Sequence, residues 1–255
     1  MALIDKELSL SVVSHGQIAL IVPLLEDLAT HCGSLSLECL LTLNLPEDLP
    51  FDPGGFPFPV RIIRNARPLG FGANHNQAFR HSSGRYFCVL NPDIRLSSNP
   101  FGPLLECLRD PSVGLAAPQV RDMHGELEDS ARRFPSPFRI ICKALGGCRG
   151  GDYVIGDAIV HPEWVGGMFM LLPRERFSVL HGFDERYFLY YEDVDLCVRL
   201  RLQGLEVVLC PRATVIHHAQ RSSHRNFRYL RWHLGSIVRF FLSAPYRQWG
   251  IRKWK

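Results

Sequence analysis

The run LSLSVVS at 8 to 14 predicts a buried first strand, and IALIVPLLEDLATHC at 18 to 32 predicts an amphipathic helix that Gly33 ends. A strand followed by a helix suggests an α/β sheet. LECLLTLNL at 37 to 45 and VRIIRN at 60 to 65 read as two further strands, separated by PEDLPFDPGGFPFP, which holds too much Pro and Gly for regular structure. Gly70 and Gly72 then break the chain before a helix from about 73 to 81. RYFCVLN at 85 to 91 is apolar almost throughout, as a strand inside a sheet is.

The second half is less regular. A helix from 100 to about 109 and a strand at 113 to 120 are expected, then an irregular section from 134 to 162 that contains GGCRGG. WVGGMFMLLP at 164 to 173 predicts one strand and 174 to 180 a short helix. LEVVLCP at 205 to 211 and ATVIHH at 213 to 218 predict two late extended pieces. Ahead of these pieces, Val194, Cys197, Val198 and Arg201 recur at helical spacing up to Gly204, which suits a helix C-terminus.

At 255 residues and 46% hydrophobic, the chain can bury one substantial core. No apolar run reaches the roughly 20 residues of a membrane-spanning helix, and MALIDKELSLSVVSHG lacks a signal-peptide pattern, so a cytoplasmic location is expected. The eight cysteines form no CxxC pair and read as reduced core thiols. The net charge of +4 hides a split: residues 207 to 255 carry ten Lys or Arg and no acid, against 19 basic and 25 acidic residues before them. The tail is therefore +10 and the body −6. With its interleaved aromatics, the tail suits an anionic membrane surface; nucleic-acid binding would use the same charge, and a solvated basic face on a terminal helix is the plainer alternative.

Three places carry candidate chemistry. In FLYYEDVDLCVRLRLQG, Glu192 and Asp193 fall in the first turn of the helix, where negative charge suits the dipole, so capping and general-base roles are evenly matched. The five aromatics of FDERYFLYY would wall a pocket around them, while Asp195 is expected to pair with Arg199 one turn on. CVLNPD ends a strand with Asn91 and Asp93 at the sheet edge where α/β proteins bind ligands; Asp93 reads as a turn residue or as a ligand to Mg²⁺ or Mn²⁺. NARPLGFGANHNQAF, from Asn65, offers glycines and a helix start to a phosphate, although its asparagines also read as caps. His217 and His218 point to opposite faces of a strand, so at most one enters a given site.

Taken in order, Asn65 to Asn76 (N-x-x-x-x-G-F-G-A-N-x-N), LNPD at Leu90 to Asp93, SARRFP at Ser130 to Pro135, and the GG pair before GFDERYFLYYED resemble inverting family 2 glycosyltransferases of the GT-A fold, closest to the rhamnosyltransferase-like branch. The resemblance runs from about Val60 to Ser222. It implies an α/β fold with a Rossmann-like mixed sheet flanked by helices, as a GT-A domain over 1 to 222 with a basic aromatic extension over 223 to 255. It implies Asp193 as base with Glu192 as its neighbour, and Asp93 with His217 on a Mg²⁺ or Mn²⁺ ion. Donor contacts are expected from Ser14, His15, Asn44, Asn65, Gly70, Gly72, Asn74, Asn91 and Gly167, and contacts to diphosphate or acceptor from Arg132 and Arg133. Asn91 stands where the family's metal motif has its first acid, and SVVSHGQ and LLTLNLPED replace the family's Tyr-Asn pair and VVDN, with Asn44 in place of the Asp.

The implied activity is sugar transfer, with L-rhamnose as the candidate sugar, from a dTDP- or UDP-sugar to a glycan or lipid-linked acceptor in bacterial surface polysaccharide synthesis. The protein would sit peripherally on the inner face of the plasma membrane and would not bind nucleic acid. The alternatives are a non-catalytic nucleotide-sugar or glycan binder of the same fold, and a nucleotidyltransferase.

Overall fold

In the computed structural model, residues 6–144, 151–218 and 227–252 are described. Ser222 and Cys148 lie outside them. The chain begins with β1 (Leu8–Ser14), α1 (Ile18–Cys32), β2 (Leu37–Leu43), β3 (Val60–Arg64), α2 (Phe71–His81) and β4 (Tyr86–Leu90). These four strands are parallel, in the order β3-β2-β1-β4, as an alternating β and α pattern requires. A short β5 (Ile94–Arg95) then leads to α3 (Phe101–Cys107), β6 (Val113–Arg121), β7 (Ala131–Arg132) and α4 (Pro137–Ala144). The chain continues through β8 (Trp164–Val165), β9 (Phe169–Pro173), α5 (Arg174–Val179), α6 (Glu192–Leu202), β10 (Glu206–His217), α7 (Phe227–Leu242) and α8 (Ala244–Arg252).

The main sheet is mixed, with eight strands ordered β3-β2-β1-β4-β9-β6-β10-β5, while β7 and β8 form a separate ribbon. β9 runs antiparallel between β4 and β6. Alternation along each strand feeds two cores: in β4, Cys88 and Leu90 join the layer under α1 and α3, while Phe87 and Val89 join the layer under α2, α5 and α6.

Four expectations need correction. The 164–173 run divides into β8 and β9, because Gly166 and Gly167 turn the chain between two sheets. The late pieces are one strand, β10, whose register against β6 shifts between Cys210 and Thr214. Within the section expected to be irregular, Pro137 opens α4, where its fixed φ and missing N–H suit a first helical position. β5 was not foreseen; two residues are too few to show a period, and only pairing of Ile94 with His217 makes them a strand.

The basic stretch is part of the body over its described residues. Phe240 is wholly buried in the second core, Ser236 donates to the Leu189 carbonyl at 2.9 Å, and Trp249 packs on Phe134 with ring centroids 5.2 Å apart. Arg252 donates to the Arg201 and Leu202 carbonyls, covering the C-terminus of α6. Among the described residues no helix is long and apolar enough to cross a membrane. Among the described residues, six cysteines are buried thiols outside any disulfide, and Cys142 is half-buried.

Candidate active site

A cleft of about 910 Å³ opens along the carboxyl edge of the parallel strands. His15, Asp93, Arg132, Gly167, Asp193, His217 and Trp232 all line it. Residues more than 200 positions apart therefore share one cavity.

Asp193 sits in the first turn of α6. Its Oδ2 accepts from the Gly167 N–H at 3.0 Å and its Oδ1 from the Val194 N–H at 2.8 Å. Burial pushes its pKa up, opposed by those two hydrogen bonds and by the charge of Arg132. Glu192 is 4% exposed, with Oε2 buried and unpartnered. Burial first, then the charge of Asp193, drives its pKa well above the carboxylate range. Burial favours the neutral form of both acids, while two backbone N–H donors and the charge of Arg132 favour the carboxylate form of Asp193.

The backbone before this helix is strained. Tyr190 and Tyr191 both have φ of 71°, a left-handed conformation that costs a non-glycine residue roughly 1–2 kcal/mol each. Helix α7 opposes that cost: Tyr190 meets the His233 ring at 5.1 Å, and Tyr191 meets Phe240 at 5.4 Å.

In the same cleft, antiparallel pairing of β5 with β10 sets Asp93 beside His217. His217 Nε2 lies 3.2 Å from Asp93 Oδ2, and its Nδ1 lies 2.9 Å from Glu128 Oε2. Burial alone would lower the pKa of His217, but hydrogen bonds and charge from Asp93 and Glu128 push it up to about 9. Asp93 Oδ1 is buried with no partner. No group of three or more His, Cys, Asp or Glu among the described residues is arranged to hold a metal. The orphaned Oδ1 nevertheless fits a hard cation that takes few protein ligands and completes its shell with phosphate and water, and His217 would join it only by giving up the Nε2 proton that it holds toward Asp93. Glu128 would orient that imidazole through its other nitrogen.

Residues 51–164 match the model of glycosyl transferase family 2, and residues 159–225 match that of the N-terminal domain of galactosyltransferase. The chain is 31% identical over 185 residues to rhamnosyltransferase WbbL of Escherichia coli, an alignment covering 67% of this chain and 69% of that protein. The chain belongs to glycosyltransferase family 2. It is likewise 31% identical over 188 residues to N-acetylglucosaminyl-diphospho-decaprenol L-rhamnosyltransferase of Mycobacterium tuberculosis, over 66% of this chain and 61% of the relative. Solved structures agree on the fold. GalNAc-T7 with UDP, GalNAc and Mn²⁺ matches with TM-score 0.67 at 13% identity, over 93% of this chain and 48% of that one. The mannosyltransferase PcManGT of Pyrobaculum calidifontis with GDP-Man and Mn²⁺ matches with TM-score 0.62 at 15% identity, over 92% and 64%. The mixed sheet is thus of the GT-A type, and the protein is an enzyme of the hexosyltransferase class. That membership sets aside the nucleotidyltransferase and the non-catalytic binder.

In this glycosyltransferase the expected donor residues divide into two groups. Asn44, Asn74, Asn91, Gly167 and His15 line the cleft, whereas Ser14, Asn65, Gly70 and Gly72 do not. Asn65 donates to both Asn44 and Asn74, at 2.9 and 2.7 Å, and Asn44 Oδ1 also accepts from the Leu69 N–H at 2.8 Å. This amide network fixes the loop before α2, and Asn44 Nδ2 holds the His15 ring at 2.9 Å. A Cβ on Gly70 would lie 2.6 Å from the Phe188 carbonyl oxygen, and one on Gly72 would lie 2.6 Å from Phe183 Cβ. Both glycines are needed for close packing against the chain that leads into α6. Ser14 bonds to Glu47, whose carboxylate also accepts from the Gly16 and Ile18 N–H groups at the start of α1.

Arg132 and Arg133 line the cleft, and their guanidiniums lie over Trp164 and Tyr153 at 5.5 and 5.7 Å. Of the five aromatics before the acids, Phe188, Tyr190 and Tyr191 wall the cleft, while Phe183 and Tyr187 are buried in the core. His217 enters the site and His218 does not. Asp195 pairs with Arg199 at 2.7 Å, as the spacing predicts. Sequence reasoning missed Glu47, Glu128 and the α7 residues Tyr229, Trp232 and His233. Of these, only the α7 aromatics carried a signal, and it read equally well as a membrane face.

Proposed function

We propose that this enzyme transfers L-rhamnose from dTDP-L-rhamnose, with inversion, to a sugar hydroxyl on a lipid-linked glycan during bacterial surface polysaccharide synthesis. The observation that carries the reading is the placement of Asp193 and of the Asp93–His217 pair on walls of one cleft. The names of the two rhamnosyltransferase relatives support rhamnose as the sugar, and the mycobacterial relative's name supports a lipid-diphosphate acceptor.

The donor would enter with its nucleoside toward Val13, His15 and Gln17, with His15 oriented by Asn44. Its diphosphate would lie toward Asp93 and His217. These would hold a Mg²⁺ or Mn²⁺ ion, which when bound offsets charge on the leaving diphosphate. Asp193 removes the proton from the acceptor hydroxyl as its oxygen bonds to the anomeric carbon. The bond to the diphosphate oxygen breaks on the other side, and its electron pair leaves with the nucleoside diphosphate. One displacement inverts the centre, as in single-step glycosyl chemistry. Neutral Glu192 adds no second negative charge beside the base. Arg132, 5.5 Å above the Trp164 ring, would steady acceptor or diphosphate charge. The enzyme would work on the inner face of the plasma membrane.

The test is a thermal-shift screen of dTDP-, UDP- and GDP-sugars with Mn²⁺, Mg²⁺ or EDTA, followed by transfer to a GlcNAc-diphospho-polyprenol and assignment of the product anomer by NMR. Stabilisation by dTDP-rhamnose that requires the cation is expected. Metal-independent binding, or retention of anomeric configuration, would overturn the mechanism.

A further inference from the structure

Helix α7 has two faces of opposite destination. Its inner side is buried or half-buried: Phe240 lies in the core, Trp232 packs on Phe188 at 4.6 Å, and Tyr229, Trp232 and His233 line the cleft. Its outer side is apolar yet uncovered. Phe227, Leu230, Leu234, Val238 and Leu242 recur at three- and four-residue spacing and are 82%, 52%, 53%, 58% and 70% exposed. A 16-residue helix spans about 24 Å, so these side chains form a continuous stripe along all of it.

The charge around the stripe selects its partner. Arg231 and Arg239 are exposed beside it, and residues 227 to 252 contain five Arg and no acid. A second copy packed on the same stripe about a two-fold axis would bring like charges from both chains together with no acid in the segment to offset them. An anionic bilayer satisfies both features at once, because its acyl boundary takes the leucines and its headgroups take the arginines.

We infer that the outer face of α7 inserts into the interface of an anionic membrane, while the inner face of the same helix forms a wall of the cleft. The helix then sits between the lipid that carries the acceptor and the carboxylate that activates it. This deepens the proposed function and rests on its lipid-linked acceptor, but the surface can be tested without sugar transfer.

The experiment is flotation of the full chain with vesicles of phosphatidylcholine containing about 30 mol% phosphatidylglycerol, with neither donor nor acceptor, at low and high salt. Wild type is expected to float with these vesicles and not with pure phosphatidylcholine. Leu234→Glu with Val238→Glu should lower the bound fraction at least about tenfold while leaving transfer to a tail-less water-soluble acceptor unchanged. Hydrogen exchange on the wild type supplies a reading that needs no variant: protection at 227 to 242 on adding anionic vesicles supports the inference. Failure of wild type to float, equal flotation of the double variant, absence of that protection, or a stable dimer that the double variant dissociates would each overturn it.

Discussion

The amide of Gly167 donates to Oδ2 of Asp193 at 3.0 Å, so the glycine turn that divides β8 from β9 is also what aims the carboxylate of α6. Both oxygens of Asp193 are acceptors for backbone N–H groups. Asn at this position would turn a donor toward one of them and could not take a proton. Asp193→Asn should reduce transfer by roughly 10²–10⁴-fold or more while keeping the thermal shift from donor. Turnover within tenfold of wild type would remove Asp193 from the base role.

Glu192 gives the opposite expectation. Because burial and the charge of Asp193 favour its protonated form, Gln reproduces that form. Glu192→Gln should retain transfer to within about tenfold, well short of the loss that follows removal of a general acid or base. Steady-state rates for the two variants, measured side by side, decide which acid takes the proton.

Asp93→Ala should abolish the cation-dependent part of donor binding and leave the fold intact, read as loss of the difference between thermal shifts with Mn²⁺ and with EDTA. Glu128→Gln should weaken the same difference less, since it touches only the far nitrogen of His217. A full Mn²⁺ effect in Asp93→Ala would place the cation elsewhere.

Gly70→Ala introduces a Cβ 2.6 Å from the Phe188 oxygen and 2.8 Å from its Cα, both backbone atoms that cannot swing away. A cost of about 1–3 kcal/mol is expected, and a fall of roughly 2–4 °C in Tm for each kcal/mol. Gly102, in α3, has nothing within 4 Å of a built Cβ, and Gly102→Ala should stabilise by about 0.5–1 kcal/mol. Thermal melts of the two variants should move in opposite directions.

Asp27 and Arg95 join α1 to β5 through two hydrogen bonds of 2.6 and 2.8 Å. Burial raises the pKa of Asp27, but Arg95 and the Leu96 N–H more than reverse this, and its folded value lies below the ordinary one. A depressed folded pKa gives stability that is present above the unfolded value, near 3.9, and lost as pH falls through the folded value. Asp27→Asn should therefore cost about 1–2 kcal/mol at pH 7, allowing for the partial exposure of Arg95, with the gap closing below pH 4. Urea melts at pH 7 and pH 3.5 measure it.

The parallel half of the sheet was legible because each of its elements carries a period long enough to read. The bounds of β1 and α1 match the patterned runs, and Asp195 with Arg199 is pure helix arithmetic. β10 reads as two pieces because Pro211 and Arg212 interrupt an apolar run, and only pairing with β6 shows that the strand continues past them. Cleft-lining residues were legible where the pattern is local, as at Asp93 and Asp193. They were not legible where a side chain acts across the fold. Glu128 lies 89 positions from His217, and Gly70 meets Phe188 across more than 100; neither distance leaves a mark on spacing. The amide network shows a further limit: Asn65 and Asn74 look like ligand-facing residues in sequence, yet much of their bonding is spent on each other.

The left-handed tyrosines ahead of Glu192 are held by His233 and Phe240, and these come after every other site residue in the chain. A ribosome delivers them after the acids. Until α7 emerges and docks, the sheet, Asp93, His217 and both acids already exist as covalent sequence, but the tyrosines lack the rings that hold their costly backbone. Order in this turn is thus expected only after α7 has followed the acidic motif out of the ribosome, since its two ring contacts come from that helix.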